Sequence, residues 1–81
     1  MRIDKFLKVS RIIKRRTVAN DACNAGRIMV NEKTVKPGYE LKMGDIISVQ
    51  FGEHSSKYKV KNLNLPIRKD DTEEMYEMLN E

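Results

Sequence analysis

Four cationic side chains fall within the hexapeptide Arg11-Ile12-Ile13-Lys14-Arg15-Arg16, directly ahead of Thr17 and the short run Val18-Ala19-Asn20-Asp21-Ala22-Cys23-Asn24-Ala25-Gly26. Lysine and arginine are almost never fully buried without partners, so this stretch must lie on the outside of whatever forms around it. The segments on either side have a helical pattern. Before it, Ile3, Phe6 and Leu7 stand at i, i+3 and i+4, and Ser10 and Ile13 extend that side, while Lys5, Lys8, Arg11 and Arg15 fall largely on the other. After it, Thr17 offers an N-cap oxygen. Asn20 and Asp21 then fall in the first turn, where Asp21 suits the positive helix end. Gly26 stands where a left-handed residue closes a helix. Val18, Ala19, Ala22 and Cys23 make a narrow stripe of small apolar residues, which lets the second helix pack closely on the first. A dense positive cluster at the edge of a small helix suits a phosphate backbone.

The pattern then changes to a period of two. Ile28 and Val30 flank Met29 in a short strand, Asn31-Glu32-Lys33 makes a tight turn, and Thr34-Val35 returns before Pro37-Gly38 breaks the ladder. Gly44-Asp45 forms a second turn. Ile47, Val49 and Phe51 point to one side and Ser48 and Gln50 to the other; Gly52 to Ser56 is a loop. In Lys57-Tyr58-Lys59-Val60-Lys61, Tyr58 and Val60 face inward. The three outward lysines either guard an edge strand or bind RNA. Asn62 to Lys69 is a connector, and Asp70-Asp71-Thr72-Glu73-Glu74 reads as a helix start, with Met75, Tyr76 and Leu79 as a thin apolar stripe. So short a helix docks on the body or a partner, or it frays.

The fold class expected is α+β: two packed N-terminal helices, a small β-sheet and a short acidic C-terminal helix. Residues 1–62 form one domain, and residues 63–81 are its connector and acidic helix or tail. With 81 residues the core is marginal, since a domain of ~60 residues buries only about 60% of its unfolded surface. No large substrate cavity fits inside it. Residues 1–69 carry all 16 Lys and Arg against six Asp and Glu, whereas residues 70–81 carry six acids and no base. A basic body with an acidic tail points to an anionic polymer as partner.

Catalysis finds little support in these residues. His54 is the single histidine and Cys23 the single cysteine, and they are far apart in sequence. There is no CxxC, no histidine pair at helical spacing and no glycine-rich phosphate loop, so no metal, cofactor or small-molecule substrate is expected. Cys23 lies on the apolar stripe and reads as packing. Asp4 and Asp21 read as a helix-start charge and a local ion-pair partner. One cysteine, a charged amino terminus and no apolar stretch near the ~20 residues of a membrane span give a cytoplasmic protein with no membrane partner as the expectation.

The ordered set Arg2-Ile3-Asp4-Lys5-Phe6-Leu7, Arg11, Lys14-Arg15-Arg16, Ala19, Gly26-Arg27-Ile28-Met29-Val30-Asn31-Glu32-Lys33, Lys36-Pro37 and Gly44-Asp45 resembles the RNA-binding domain named after small-subunit ribosomal protein S-four, over roughly residues 2–52. Glu32 departs from the family's usual Gly. The resemblance implies two packed helices followed by a small bent β-sheet, with a face for structured RNA. On it, Arg2, Arg11, Lys14, Arg15 and Arg16 contact phosphates, Lys5, Arg27 and Lys33 lie at the margin, and Asp4 orients neighbouring cations. Gly26 and Asn31 shape one turn, and Gly44 and Asp45 shape another that touches no RNA. Stand-alone members of the family bind the large ribosomal subunit, and one group is a ribosome-associated heat-shock protein. The chain is more similar to a second group, the bacterial ribosome quality control proteins of the RqcP type, through Lys5-Phe6-Leu7-Lys8-Val9-Ser10-Arg11, Lys14-Arg15-Arg16-Thr17 and the Met75-Tyr76…Leu79 tail. That likeness implies a position between ribosomal RNA and peptidyl-site tRNA, beside an RqcH-type elongation factor that brings alanyl-tRNA to stalled chains. Phe6, Phe51 and Tyr58 read as core, so phosphate and shape recognition is expected to outweigh base stacking. The alternatives are a general large-subunit heat-shock or assembly factor, the RNA-guiding module of a modifying enzyme such as a pseudouridine synthase, and a protein-interaction module that uses the acidic tail.

Overall fold

A computed structural model describes residues 1–63 and 75–79. Helix α1 (Ile3–Val9) buries Ile3, Phe6 and Leu7 completely, as their spacing requires. No side chain caps its start. The exposed first-turn donors are instead taken by a neighbouring loop: Ile3 N–H donates to the Tyr39 carbonyl at 2.8 Å and Asp4 N–H to the Pro37 carbonyl at 3.3 Å. The helix ends at Val9 rather than continuing to Ile13, because Arg11 takes a left-handed φ of 65°. Ile13 still reaches the core, brought back by its N–H donating to the Leu7 carbonyl.

Helix α2 (Arg16–Asn24) begins one residue before Thr17, with Arg15 as its N-cap and no side-chain cap. Thr17 is therefore the second helical residue and not the cap, and Asp21 lies beyond the first turn. Ala19 and Cys23 are buried against α1, while Val18 is 47% exposed and leaves the expected stripe. Gly26 closes the helix as its position predicts, at φ 76°. Its N–H donates to the Cys23 carbonyl and that of Arg27 to the Ala22 carbonyl, the double bond pattern of a glycine-terminated helix.

The sheet contains β1 (Ile28–Val30), β2 (Lys33–Thr34), β3 (Ile46–Phe51), β4 (His54–Val60) and β5 (Tyr76–Leu79), all antiparallel, in the order β2-β1-β3-β4-β5. One face buries Ile28, Val30, Ile47, Val49, Tyr58 and Val60 in the core shared with the two helices. Asn31 and Glu32 both take positive φ, 51° and 69°, in the two-residue turn that suits the right-handed twist of a hairpin.

Three expectations are corrected here. The described part of the C-terminal segment is a strand and not a helix: Tyr76–Leu79 pairs with β4 in the register Val60↔Tyr76 to Lys57↔Leu79. Four residues gain more from an open strand edge than from an isolated helical turn. The predicted helix start at 70–74 lies outside the described residues. As a result β4 is an interior strand, so its lysines guard no edge. Phe51 is 50% exposed, because it sits at the far end of β3, where the strand turns toward β4 beyond the cover of the helices. Met75 is buried instead, its carbonyl accepts from Lys61 N–H at 2.8 Å, and Tyr76 packs edge-on to Tyr58 with ring centroids 5.2 Å apart.

Candidate nucleic-acid interface

All eight nominated cations, Arg2, Lys5, Arg11, Lys14, Arg15, Arg16, Arg27 and Lys33, are exposed. Two of them are held in place by a buried acid. The Asp4 side chain is 3% exposed, whereas those of Arg2 and Arg16 are 49% and 47% exposed. Arg2 Nη2 donates to Asp4 Oδ2 at 3.3 Å. Arg16 reaches both carboxylate oxygens, Nη2 to Oδ1 and Nε to Oδ2, each at 3.4 Å. Lys5 N–H completes the set, donating to Oδ1 at 2.8 Å.

This arrangement follows from local sequence and long-range folding together. Asp4 follows Ile3 on α1, which turns it toward the start of α2, and the 37–39 loop holds that first turn in register. The Arg2 guanidinium lies over the same loop, 3.7 Å from where a Cβ on Gly38 would stand. Burial disfavours the Asp4 carboxylate, but the Arg16 hydrogen bond, the Lys5 amide and the charges of Arg16 and Arg2 outweigh it and hold its pKa below the ordinary value. The nearby thiol of Cys23 is pushed up to about 11, by burial first and by the Asp4 charge second, which makes it inert packing.

A guanidinium has five N–H donors. Arg2 and Arg16 each spend one or two on Asp4 and direct the others to solvent, so two positive forks are ordered before any ligand arrives. Ordering such a side chain on binding costs about 0.5–1.5 kcal/mol, a cost already met here. Arg11, Lys14 and Arg15 continue from this pair through the interhelical turn and make no ion pair among the described residues. The left-handed Arg11 lies within this cationic turn. Arg27 is separate, at the opposite end of α2, where its carbonyl accepts from Gln50 N–H. Lys33 is on β2, at the sheet edge.

The two turns nominated separately are joined. Asn31 Nδ2 donates to Asp45 Oδ1 at 3.2 Å, Asn31 Oδ1 accepts from Ile46 N–H at 3.1 Å, and Asp45 Oδ2 accepts from Lys42 N–H at 2.9 Å. Gly44, at φ 90°, permits that second turn. Gly38 and Tyr39 take part without having been expected to, because their only local signal is the Pro37-Gly38 break.

The S4 domain model matches residues 1–47, which include both helices, the first hairpin and the Asp4 cluster. The chain belongs to the S4 domain family. A Listeria innocua protein named "RQC P-site tRNA stabilizing factor" is 47% identical over 81 residues, covering 100% of this chain and 88% of its own. A Halalkalibacterium halodurans protein of the same name is 43% identical, covering 100% of this chain and 92% of its own. The trimeric structure of Vibrio cholerae Heat Shock Protein 15 superposes with a TM-score of 0.86 over 98% of this chain and 81% of that one; at 20% identity this likeness is one of fold.

Proposed function

We propose that this S4-domain chain is a non-enzymatic RNA-binding factor of ribosome-associated quality control. It acts in the cytoplasm on obstructed large ribosomal subunits, where it binds ribosomal RNA and the peptidyl-site tRNA. There it supports alanine tailing of the stalled chain by an RqcH-type elongation factor. The observation that carries this reading is the Asp4-anchored pair of half-exposed guanidiniums, set in a continuous cationic turn. The end-to-end similarity to factors named for stabilising P-site tRNA supports it. Two RNA backbones brought side by side repel each other, and a small rigid cationic body between them offsets that repulsion without making or breaking a bond.

The test is gradient co-sedimentation with free large subunits across a salt series. Arg16→Ala is expected to weaken association and to lower the salt slope by about one unit. If replacement of Arg2, Arg15 and Arg16 together by Ala leaves association unchanged, the cationic face is not the binding surface. Counting alanine tails on stalled chains with and without the protein separates this role from that of a general large-subunit heat-shock or assembly factor, for which tailing stays the same.

A further inference from the structure

The loop that supports Arg2 has a second side. Lys36 to Tyr39 closes a turn, with Tyr39 N–H donating to the Lys36 carbonyl at 3.0 Å. Behind it, between the loop and the β1–β2 hairpin, lies an open recess of about 520 Å³. Its floor is apolar, made of Val30, Val35 and the half-buried Tyr39, which packs against the core from one side. Lys33, Thr34 and Lys36 stand on its rim, and among the described residues no acid lines it. Neither lysine makes an ion pair among the described residues. Two other recesses among the described residues differ in this respect. The one beside α2 is lined by Asp4 and Asp21, and the one on the outer sheet face includes Glu32.

We propose that this recess takes one unpaired RNA base, stacked on the Tyr39 ring, with its flanking phosphates on Lys33 and Lys36. The inference rests on the RNA-binding reading above and deepens it. An aromatic ring beside two ammonium groups, with no acid among the described lining residues, is the arrangement that holds single-stranded nucleotides. Continuity with the Arg2 cluster favours RNA as the occupant: the Arg2 guanidinium lies over the 36–39 loop at Gly38, and the same loop lines the recess at Tyr39. A strand whose backbone crosses Arg2 and Arg16 can therefore place a splayed base behind the loop. The base contributes affinity for loops and bulges, which a purely phosphate-binding face lacks.

The experiment compares the full chain binding two RNAs by fluorescence anisotropy: a blunt duplex, and a hairpin with the same stem and an unpaired purine loop. The wild type is expected to prefer the hairpin, by about 5- to 150-fold for one stacked base. Tyr39→Leu, which keeps an apolar side chain against the core, should abolish that preference. Tyr39→Phe should retain the preference, and Lys36→Ala should lower the salt slope on the hairpin. A wild type that binds the two RNAs equally, or a Tyr39→Leu variant that still prefers the hairpin, overturns the recess while leaving the phosphate face intact. Failure of the wild type to bind either RNA refutes both readings.

Discussion

Replacing Asp4 by Asn removes one negative charge from a basic protein, and simple charge counting says that RNA binding should tighten. The geometry requires the opposite. Asn retains an oxygen for Lys5 N–H but loses the charge that holds two guanidiniums. Hydrogen bonds to charged groups contribute about 1.5–3 kcal/mol each. Because Arg2 and Arg16 are 49% and 47% exposed, water recovers much of that loss, leaving about 1 kcal/mol per guanidinium and ~2 kcal/mol for the variant. In a domain of this size that lowers Tm by about 8–16 °C. Binding weakens as well, because each freed arginine must be ordered again at about 0.5–1.5 kcal/mol. The Coulomb gain from removing a charge ~8 Å from a phosphate is about 0.5 kcal/mol in water-like surroundings. The ordering cost wins, by up to ~2 kcal/mol. Thermal unfolding by circular dichroism gives the first quantity. Anisotropy against a stem-loop RNA, well below Tm and at physiological salt, gives the second. A variant that binds tighter, with Tm unchanged, would refute the claim that Asp4 preorders this face.

The same carboxylate gives the protein an acid limit. Its folded pKa is depressed, so the unfolded state takes up a proton first as pH falls. Its stabilising contribution is whole above the unfolded value of about 4 and is lost as pH falls from there through the lower folded value; the stabilities of the wild type and Asp4→Asn should converge across that window. Glu32 holds a φ of 69° in the hairpin turn. Left-handed backbone costs a side-chain-bearing residue about 1–2 kcal/mol, partly offset by the extra freedom that glycine loses on folding, so Glu32→Gly should stabilise by about 0.5–1 kcal/mol in urea melts. Met75 is 1% exposed where β5 begins, and Met75→Ala should cost about 2–5 kcal/mol. A loss under 1 kcal/mol would mean that β5 contributes little to the sheet.

Much of the candidate site was legible because it is local. The cations are consecutive or nearly so, the i, i+3, i+4 spacing sets which side of α1 is buried, and Gly26 announces the end of α2 through the one backbone conformation that glycine adopts freely. The errors fall where local signals are balanced. Arg11 ends α1 without a proline or glycine to announce it, and Phe51 keeps the alternation of a strand although it lies beyond the layer it was expected to pack on.

By itself the amino-acid order determined that two helices precede the sheet, which side of α1 is buried and where positive charge collects, since each depends on neighbours within a turn or two. Tertiary structure alone decided that Tyr76–Leu79 is a strand, that Asn31 and Asp45 share a hydrogen bond, and that the loop near residue 38 accepts the first amides of α1 beneath the arginine at position 2. Each of these depends on groups brought together from distant parts of the chain. A four-residue segment has too weak an intrinsic preference to resist an open row of backbone donors and acceptors, so its conformation is set by the edge it meets.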